Sequence, residues 1–251
     1  MTRAIIFDLY FTLELFELDE LETIFERVRP MLGLERDPFM DSWQTAYVRY
    51  ECGDLASFDE LLRTLAHECG ASLAEADVAE CAMAWRDFQR RALAIPHDVL
   101  DTLAELRERG YKLGLISNTM ADVPPLWRAS PAMRLLDAAV FSCEIGLRKP
   151  APELYLHTCD VLGVQPADCV FVGDGGGQEL TGAAQIGMRA IQLRDPDEPP
   201  GMDARLQREP WAGASITSLA ELLAMLPDIS TPSYPARTAG AAPSSHTNRR
   251  T

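Results

Sequence analysis

The sequence predicts an α/β protein in which a parallel β-sheet carries a large helical insertion. Short apolar runs of strand length alternate with segments of helical periodicity, which is the pattern of a parallel sheet with crossover helices. The segment between the first two runs, residues 14–94, is far longer than a simple crossover requires. The predicted strands are 4–7, 112–116, 139–141, 169–172 and 189–193.

The long segment after the first strand is predicted to be a helical cap. Apolar residues recur there at helical spacing in four stretches. Ser57 and Glu60 form the pattern of a capping box, and Gly53 and Gly70 follow two predicted helix ends. The predicted cap helices are 18–32, 38–52, 57–69 and 74–94.

The rest of the chain alternates between strands and helices up to a polar C-terminal tail. Gly110, Gly163 and Gly187 mark helix ends, and the tail is rich in Pro, Ser, Thr, Ala and Gly, a composition typical of disorder. The predicted helices of this part are 98–109, 152–162, 179–186 and 218–226. The predicted division is a sheet domain at 1–13 and 95–226, a helical cap at 14–94 and a disordered tail at 227–251.

Composition and charge restrict the class of partner. The 251 residues carry a formal net charge of −15, which argues against binding to nucleic acid or to anionic membranes. No apolar stretch approaches the roughly 18 residues that span a bilayer, and the N-terminus lacks the pattern of a signal peptide. We therefore expect a cytoplasmic protein with reduced cysteines.

Polar residues that can support chemistry follow three of the predicted strands. Asp8 comes directly after the first strand, Ser117 after the second and Asp174 shortly after 169–172. The carboxyl ends of parallel strands are where open α/β sheets bind ligands. Lys149 adds a cation, and it is one of only two lysines in the chain.

These segments resemble the motifs of the haloacid dehalogenase (HAD) superfamily, over about residues 1–225. The family pattern is Asp-x-Asp-x-Thr, then a Ser or Thr after a strand, a Lys, and acidic residues after Gly-Asp. The resemblance implies a Rossmann-like core with a helical cap. It also implies that Asp8 is a nucleophile, that Thr12 and Ser117 donate hydroxyl hydrogen bonds, and that Lys149 neutralises charge.

A Mg²⁺ site is the second implication. Asp174 and Glu179, placed beside Asp8, would repel one another without a cation, and Mg²⁺ prefers oxygen ligands. The resemblance gives the ligands as Asp8, the backbone carbonyl of Tyr10, Asp174 and Glu179. The alternative role for Glu179 is to cap the helix that starts there.

Tyr10 departs from the phosphatase pattern and leaves the reaction open. Phosphatases of the family have an Asp there that protonates the leaving oxygen, whereas 2-haloacid dehalogenases share Asp-x-Tyr and need neither an acid nor a metal. The segment with Asp174 and Glu179 instead resembles the phosphatases. We expect a Mg²⁺-dependent phosphatase acting on a small phosphorylated metabolite. The alternatives are a metal-independent 2-haloacid dehalogenase-like hydrolase and a catalytically silent binding protein.

Two sets of residues have a less direct link to the site. Asn118 follows Ser117 and either contacts substrate or shapes the turn. Trp43, Tyr47 and Tyr50 share one face of a predicted cap helix, where we expect core packing; lining a substrate cavity is the alternative.

Overall fold

A computed structural model describes residues 1–14 and 18–230, and its centre is a six-stranded sheet. All neighbouring strands are parallel, in the order β3-β2-β1-β4-β5-β6, with helices on both faces. The predicted α/β fold class is therefore confirmed. The strands are β1 Ala4–Phe7, β2 Lys112–Ser117, β3 Ala138–Phe141, β4 Cys169–Gly173, β5 Arg189–Leu193 and β6 Ala214–Ile216.

The first strand lies in the middle of the sheet and is fully buried. Its four residues are apolar, as expected for a strand covered on both faces. Phe7 pairs with Leu115 on one side and with Val172 on the other. This register brings the carboxyl ends of β1, β2 and β4 to one edge of the sheet.

Four of the five described helices between β1 and β2 lie in the segment predicted as the cap, residues 14–94. They pack on one another around buried aromatic rings, with Phe58 stacked on Trp85 at a centroid distance of 4.5 Å and Trp43 beside both. Their ends agree with the predicted ones to within about three residues. The helices are α1 Leu18–Met31, α2 Arg36–Glu51, α3 Phe58–Glu68 and α4 Glu75–Ala92.

The remaining helices flank the sheet. They are α5 His97–Glu108, α6 Val123–Arg128, α7 Ser142–Ile145, α8 Pro152–Leu162, α9 Glu179–Gln185, α10 Met202–Arg205 and α11 Glu221–Met225. Short 3₁₀ turns lie at Pro131–Leu135 and Pro166–Asp168. α6, α7, α10 and β6 had no counterpart in the sequence prediction, because they are too short to establish a period and α6 contains two prolines.

The last described residues pack against α5. Ile229 donates its backbone N–H to Arg109, and the Tyr111 hydroxyl donates to the carbonyl of Pro227. The described chain thus makes contacts at 227–230, inside the segment predicted as tail, whereas 231–251 lie outside the described residues. The division into sheet domain, cap and tail stays a prediction. None of the described helices is long and apolar enough to cross a bilayer.

Candidate active site

Asp8 begins the site at the end of β1. Its backbone N–H still belongs to the sheet, donating to Val172 O at 2.8 Å. The chain then turns sharply, since the Leu9 carbonyl accepts from the N–H of Leu13 and Phe11 has a left-handed φ of 58°. The turn leaves the Asp8 side chain buried at the sheet edge, facing a cavity.

Lys149 joins two of the predicted site carboxylates. Its Nζ donates to Asp8 Oδ1 and, at 2.5 Å, to Glu179 Oε2. The lysine is buried, which opposes its charge, but the carboxylates of Asp8 and Glu179 outweigh burial and raise its pKa. Lys149 therefore stays protonated and supplies a permanent positive charge beside Asp8.

Asn118 holds Lys149 in place. Its Oδ1 accepts from the backbone N–H of Lys149 at 2.7 Å, and its Nδ2 donates to the carbonyl of the same residue at 3.2 Å. Asn118 also lines the cavity. Because the amide already makes both contacts, the structure gives it a role in positioning Lys149, and its substrate contact stays a prediction.

Glu179 is the first residue of α9, yet its side chain points into the site. Oε1 accepts from the backbone N–H of Gly175 at 3.0 Å, and Oε2 accepts from Lys149. The carboxylate lies against Gly173, where a Cβ would overlap it. Burial, followed by the negative charge of Asp8, raises the pKa of Glu179.

Asp174 is held by a residue that the sequence analysis did not identify. Its Oδ1 accepts from the backbone N–H of Gly176 at 2.9 Å, and its Oδ2 accepts from Arg208 Nε at 2.7 Å. The Arg208 side chain is buried and is shared with Glu198. Arg208 lies 34 residues after Asp174, in a segment without a recognisable motif.

Two hydroxyl groups at the site are buried without a hydrogen-bond partner. Among the described residues, neither Thr12 Oγ1 nor Ser117 Oγ has one. A buried hydroxyl without a partner is costly. Neither residue lines the cavity at Asp8, so their contact with a substrate stays a prediction.

The site carboxylates are arranged as a cation would need them. Oxygen atoms of Asp8, Asp174 and Glu179 lie within 4.8 Å of one another, and all three residues are buried. Among the described residues, Lys149 and Arg208 are the cations that contact them, so the cluster carries a formal excess of negative charge when all three carboxyl groups are ionised. Burial and the nearby Asp174 raise the pKa of Asp8, although Lys149 opposes this shift. The donor set therefore fits a hard divalent cation.

The hydroxyl of Tyr10 makes a hydrogen bond within the protein. Its hydroxyl lies 2.8 Å from Thr119 Oγ1, and the backbone of Thr119 is held in turn by Ser142 Oγ. Burial, and next the nearby phenol of Tyr47, raises the pKa of Tyr10 well above its usual range. The phenol thus stays neutral and cannot deliver a proton readily near neutral pH.

Asp8 lines a cavity of about 800 Å³ between the sheet edge and the helical insertion. Trp43 and Tyr47 line it, so both the core and the cavity interpretations of these rings hold. Tyr50 does not line it and donates its hydroxyl to Asp122. Glu51 and Arg148, which the sequence analysis did not identify, face the same cavity.

Similarity to known proteins covers both classes that the motifs suggested. The chain is 30% identical over 203 residues to glyceraldehyde 3-phosphate phosphatase of Methanopyrus kandleri, a match that covers 77% of this chain and 84% of that protein. It is 29% identical over 131 residues to (S)-2-haloacid dehalogenase 4A of Burkholderia cepacia, covering 51% of this chain and 54% of that one. The second match therefore spans only about half the length of either protein.

A solved structure with the same fold is the HAD phosphatase from Thermococcus onnurineus. The TM-score is 0.62 at 20% identity, covering 89% of this chain and 97% of that one, which shows a shared fold. The family model for haloacid dehalogenase-like hydrolases matches residues 2–187. The chain is a hydrolase that belongs to the haloacid dehalogenase-like family.

Proposed function

We propose that the protein is a Mg²⁺-dependent phosphatase that acts on small phosphorylated metabolites through Asp8. The proposal is supported by the charged groups that surround Asp8. A second and a third carboxylate lie within 4.8 Å of it, and a buried lysine contacts it. In the described part of the chain, the hydroxyls of Thr12, after β1, and of Ser117, the last residue of β2, are buried without a hydrogen-bond partner.

Asp8 performs nucleophilic catalysis in this proposal. One of its oxygens attacks phosphorus and forms an aspartyl-phosphate, which water then hydrolyses. Lys149 balances charge on the phosphoryl oxygens, and the hydroxyls of Thr12 and Ser117 donate to them. Preorganised donors of this kind commonly contribute factors of about 10² to 10³ each in rate.

The metal would be held by Asp8, Asp174 and the backbone carbonyl of Tyr10, with Glu179 as a further oxygen ligand. When bound, Mg²⁺ would neutralise charge between the nucleophile and the phosphoryl group. The excess negative charge of the buried cluster supports this assignment. Lys149 and Arg208 partly balance the same carboxylates when no metal is present.

The helical insertion encloses the substrate in this proposal. Leu21, Phe25 and Met40 of the insertion give the cavity an apolar surface, and Arg148 and Lys149 also line it. A cavity of about 800 Å³ suits a small molecule. We propose action in the cytoplasm, consistent with the acidic, reduced-cysteine character of the chain.

The test is phosphate release from a panel of phosphorylated metabolites and an acyl phosphate, with Mg²⁺ or with EDTA. Asp8→Asn is the inactive variant, and Asp101→Asn on the exposed surface of α5 is the matched control. Release that requires Mg²⁺ and is lost only in Asp8→Asn supports the proposal. Release that EDTA leaves unchanged, or that survives in Asp8→Asn, contradicts it.

A metal-independent 2-haloacid dehalogenase-like hydrolase is the second candidate, and Tyr10 is the observation that favours it. The neutral, hydrogen-bonded phenol of Tyr10 offers no ready proton, and displacement of a halide needs none. Asp8 would then attack carbon. Halide release from 2-haloacids in EDTA, without phosphate release from any substrate, would replace the phosphatase proposal with this one.

A further inference from the structure

The proposed phosphatase lacks a proton donor at the position where its motif would provide one. Tyr10 has a phenol instead of a carboxyl group, and its hydroxyl lies 2.8 Å from Thr119 Oγ1. An alkoxide leaving group requires a proton, and general acid catalysis typically contributes about 10² to 10⁴ in rate. Another group that faces the substrate must therefore supply the proton.

The cavity restricts the choice to one residue. Four carboxyl side chains line it among the described residues, those of Asp8, Glu51, Asp174 and Glu179. Asp8 is the nucleophile, and Asp174 and Glu179 belong with it to the proposed metal site. Glu51 remains, and it comes from the helical insertion rather than from the sheet.

We infer that Glu51 is the general acid and base of this enzyme, replacing the carboxyl group that Tyr10 lacks. The inference rests on the proposed phosphatase function and names a catalytic residue for it. It also gives the helical insertion a chemical role beyond enclosing the substrate.

Glu51 is fixed relative to the sheet, as a catalytic group must be. It is the last residue of α2, and Gly53 just beyond it packs so closely against the Cys143 carbonyl that a Cβ there would overlap it. Gly53 also has a φ of 79°, which favours glycine. The end of α2 therefore docks on the segment that leads to Arg148 and Lys149.

Glu51 is buried in an ion pair with Arg148 and lines the cavity. Its side chain is only 8% exposed, and Oε2 lies 2.9 Å from Arg148 Nη2 without the geometry of a hydrogen bond. Burial raises the pKa of Glu51, Arg148 and Lys149 oppose the shift, and Asp8 adds to it. The other titratable groups that face it are Tyr10, Tyr47 and Cys52.

Glu51 acts as an acid in the first step of the reaction and as a base in the second step. Asp8 forms a bond to phosphorus while the bond from phosphorus to the leaving oxygen breaks, and that oxygen takes the proton of Glu51 and departs as an alcohol. In the second step Glu51 accepts a proton from water as the water oxygen bonds to phosphorus. The bond from phosphorus to Asp8 breaks, its electron pair returns to the Asp8 carboxylate, and phosphate is released.

Glu14 is a second buried carboxyl group of the described chain, and the experiment must distinguish its effect on the reaction from that of Glu51. It is fully buried, and among the described residues neither of its oxygens has a hydrogen-bond partner. Burial, followed by Asp8, raises its pKa well above the usual range. It does not line the cavity, however, whereas Glu51 does. Glu14→Gln is therefore the matched control for Glu51→Gln.

The experiment compares leaving groups. kcat/KM, which reports formation of the aspartyl-phosphate, is measured for Glu51→Gln with an alkyl phosphate and with p-nitrophenyl phosphate, whose phenolate departs without a proton. We expect the alkyl phosphate to lose about 10² to 10⁴ in kcat/KM and p-nitrophenyl phosphate to lose less than about tenfold. Glu14→Gln should affect both substrates equally. Adding Tyr10→Asp to Glu51→Gln should restore part of the alkyl phosphate rate.

Each outcome decides between the two proposals. Equal losses for both substrates, or no loss, in an enzyme that still depends on Asp8 would overturn the role of Glu51 and leave the phosphatase proposal intact. If the unmodified protein releases no phosphate from any substrate, the phosphatase proposal fails, and the role of Glu51 fails with it.

Discussion

Arg208 donates from Nε to Asp174 Oδ2 at 2.7 Å. A buried guanidinium therefore contacts one carboxylate oxygen of Asp174, which is a proposed metal ligand. Burial opposes the charge of Arg208, but Glu198 and Asp174 outweigh it and raise its pKa, so it stays charged. Arg208 and a metal ion therefore stabilise the same carboxylate.

Arg208→Gln is expected to lower the melting temperature without metal, because it leaves Asp174 and Glu198 without their buried partner. Mg²⁺ should then raise the melting temperature more in this variant than in the unmodified protein. Thermal unfolding with MgCl₂ and with EDTA tests this. Arg194→Gln, which removes an exposed ion pair to Asp203, is the matched control. An equal Mg²⁺ shift in both variants would contradict the shared role.

Lys149→Met is expected to abolish activity and to destabilise the protein. Turnover should fall by orders of magnitude, because the charge beside Asp8 is lost. Removing one partner of a buried ion pair typically costs about 3 to 5 kcal/mol. Lys112→Met, which changes the other lysine, should retain activity. Unchanged turnover in Lys149→Met would exclude Lys149 from the site.

Glu14 makes stability depend on pH in a predictable direction. Its pKa in the folded protein lies well above 4.5, so the folded state binds more protons than the unfolded state between the two values. This contribution to stability is present below about pH 4.5 and is lost as the pH rises toward the folded pKa. Glu14→Gln removes the effect. The free energy of unfolding of Glu14→Gln, relative to that of the unmodified protein, should increase as the pH rises above about 5, and a difference that does not change with pH would contradict this.

The variant Gly173→Ala tests whether turnover depends on the position of the Glu179 carboxylate. A Cβ at 173 would overlap the Glu179 carboxylate, so Gly173→Ala should displace it from Lys149. We expect turnover to fall by at least about tenfold while the circular dichroism spectrum stays the same. Full activity in Gly173→Ala would mean that Glu179 tolerates displacement.

The sequence predicted the part of the site that follows strands. Asp8, Ser117 and Asp174 each come at or just after the end of an apolar run, and parallel pairing alone brings such ends together. Glu51 and Arg208 escaped prediction for a physical reason. Glu51 ends α2 and Arg208 follows the short helix α10, and only tertiary packing brings them to the sheet edge.

Attack of Asp8 on phosphorus is tested most directly by trapping the aspartyl-phosphate intermediate. The enzyme is mixed with a phosphorylated substrate and Mg²⁺, quenched in acid during turnover, digested, and analysed by mass spectrometry. The account predicts one phosphoryl group on the peptide that contains Asp8, lost on treatment with hydroxylamine as expected for an acyl phosphate. Phosphate release without any label on Asp8, or a label on another residue, would contradict it.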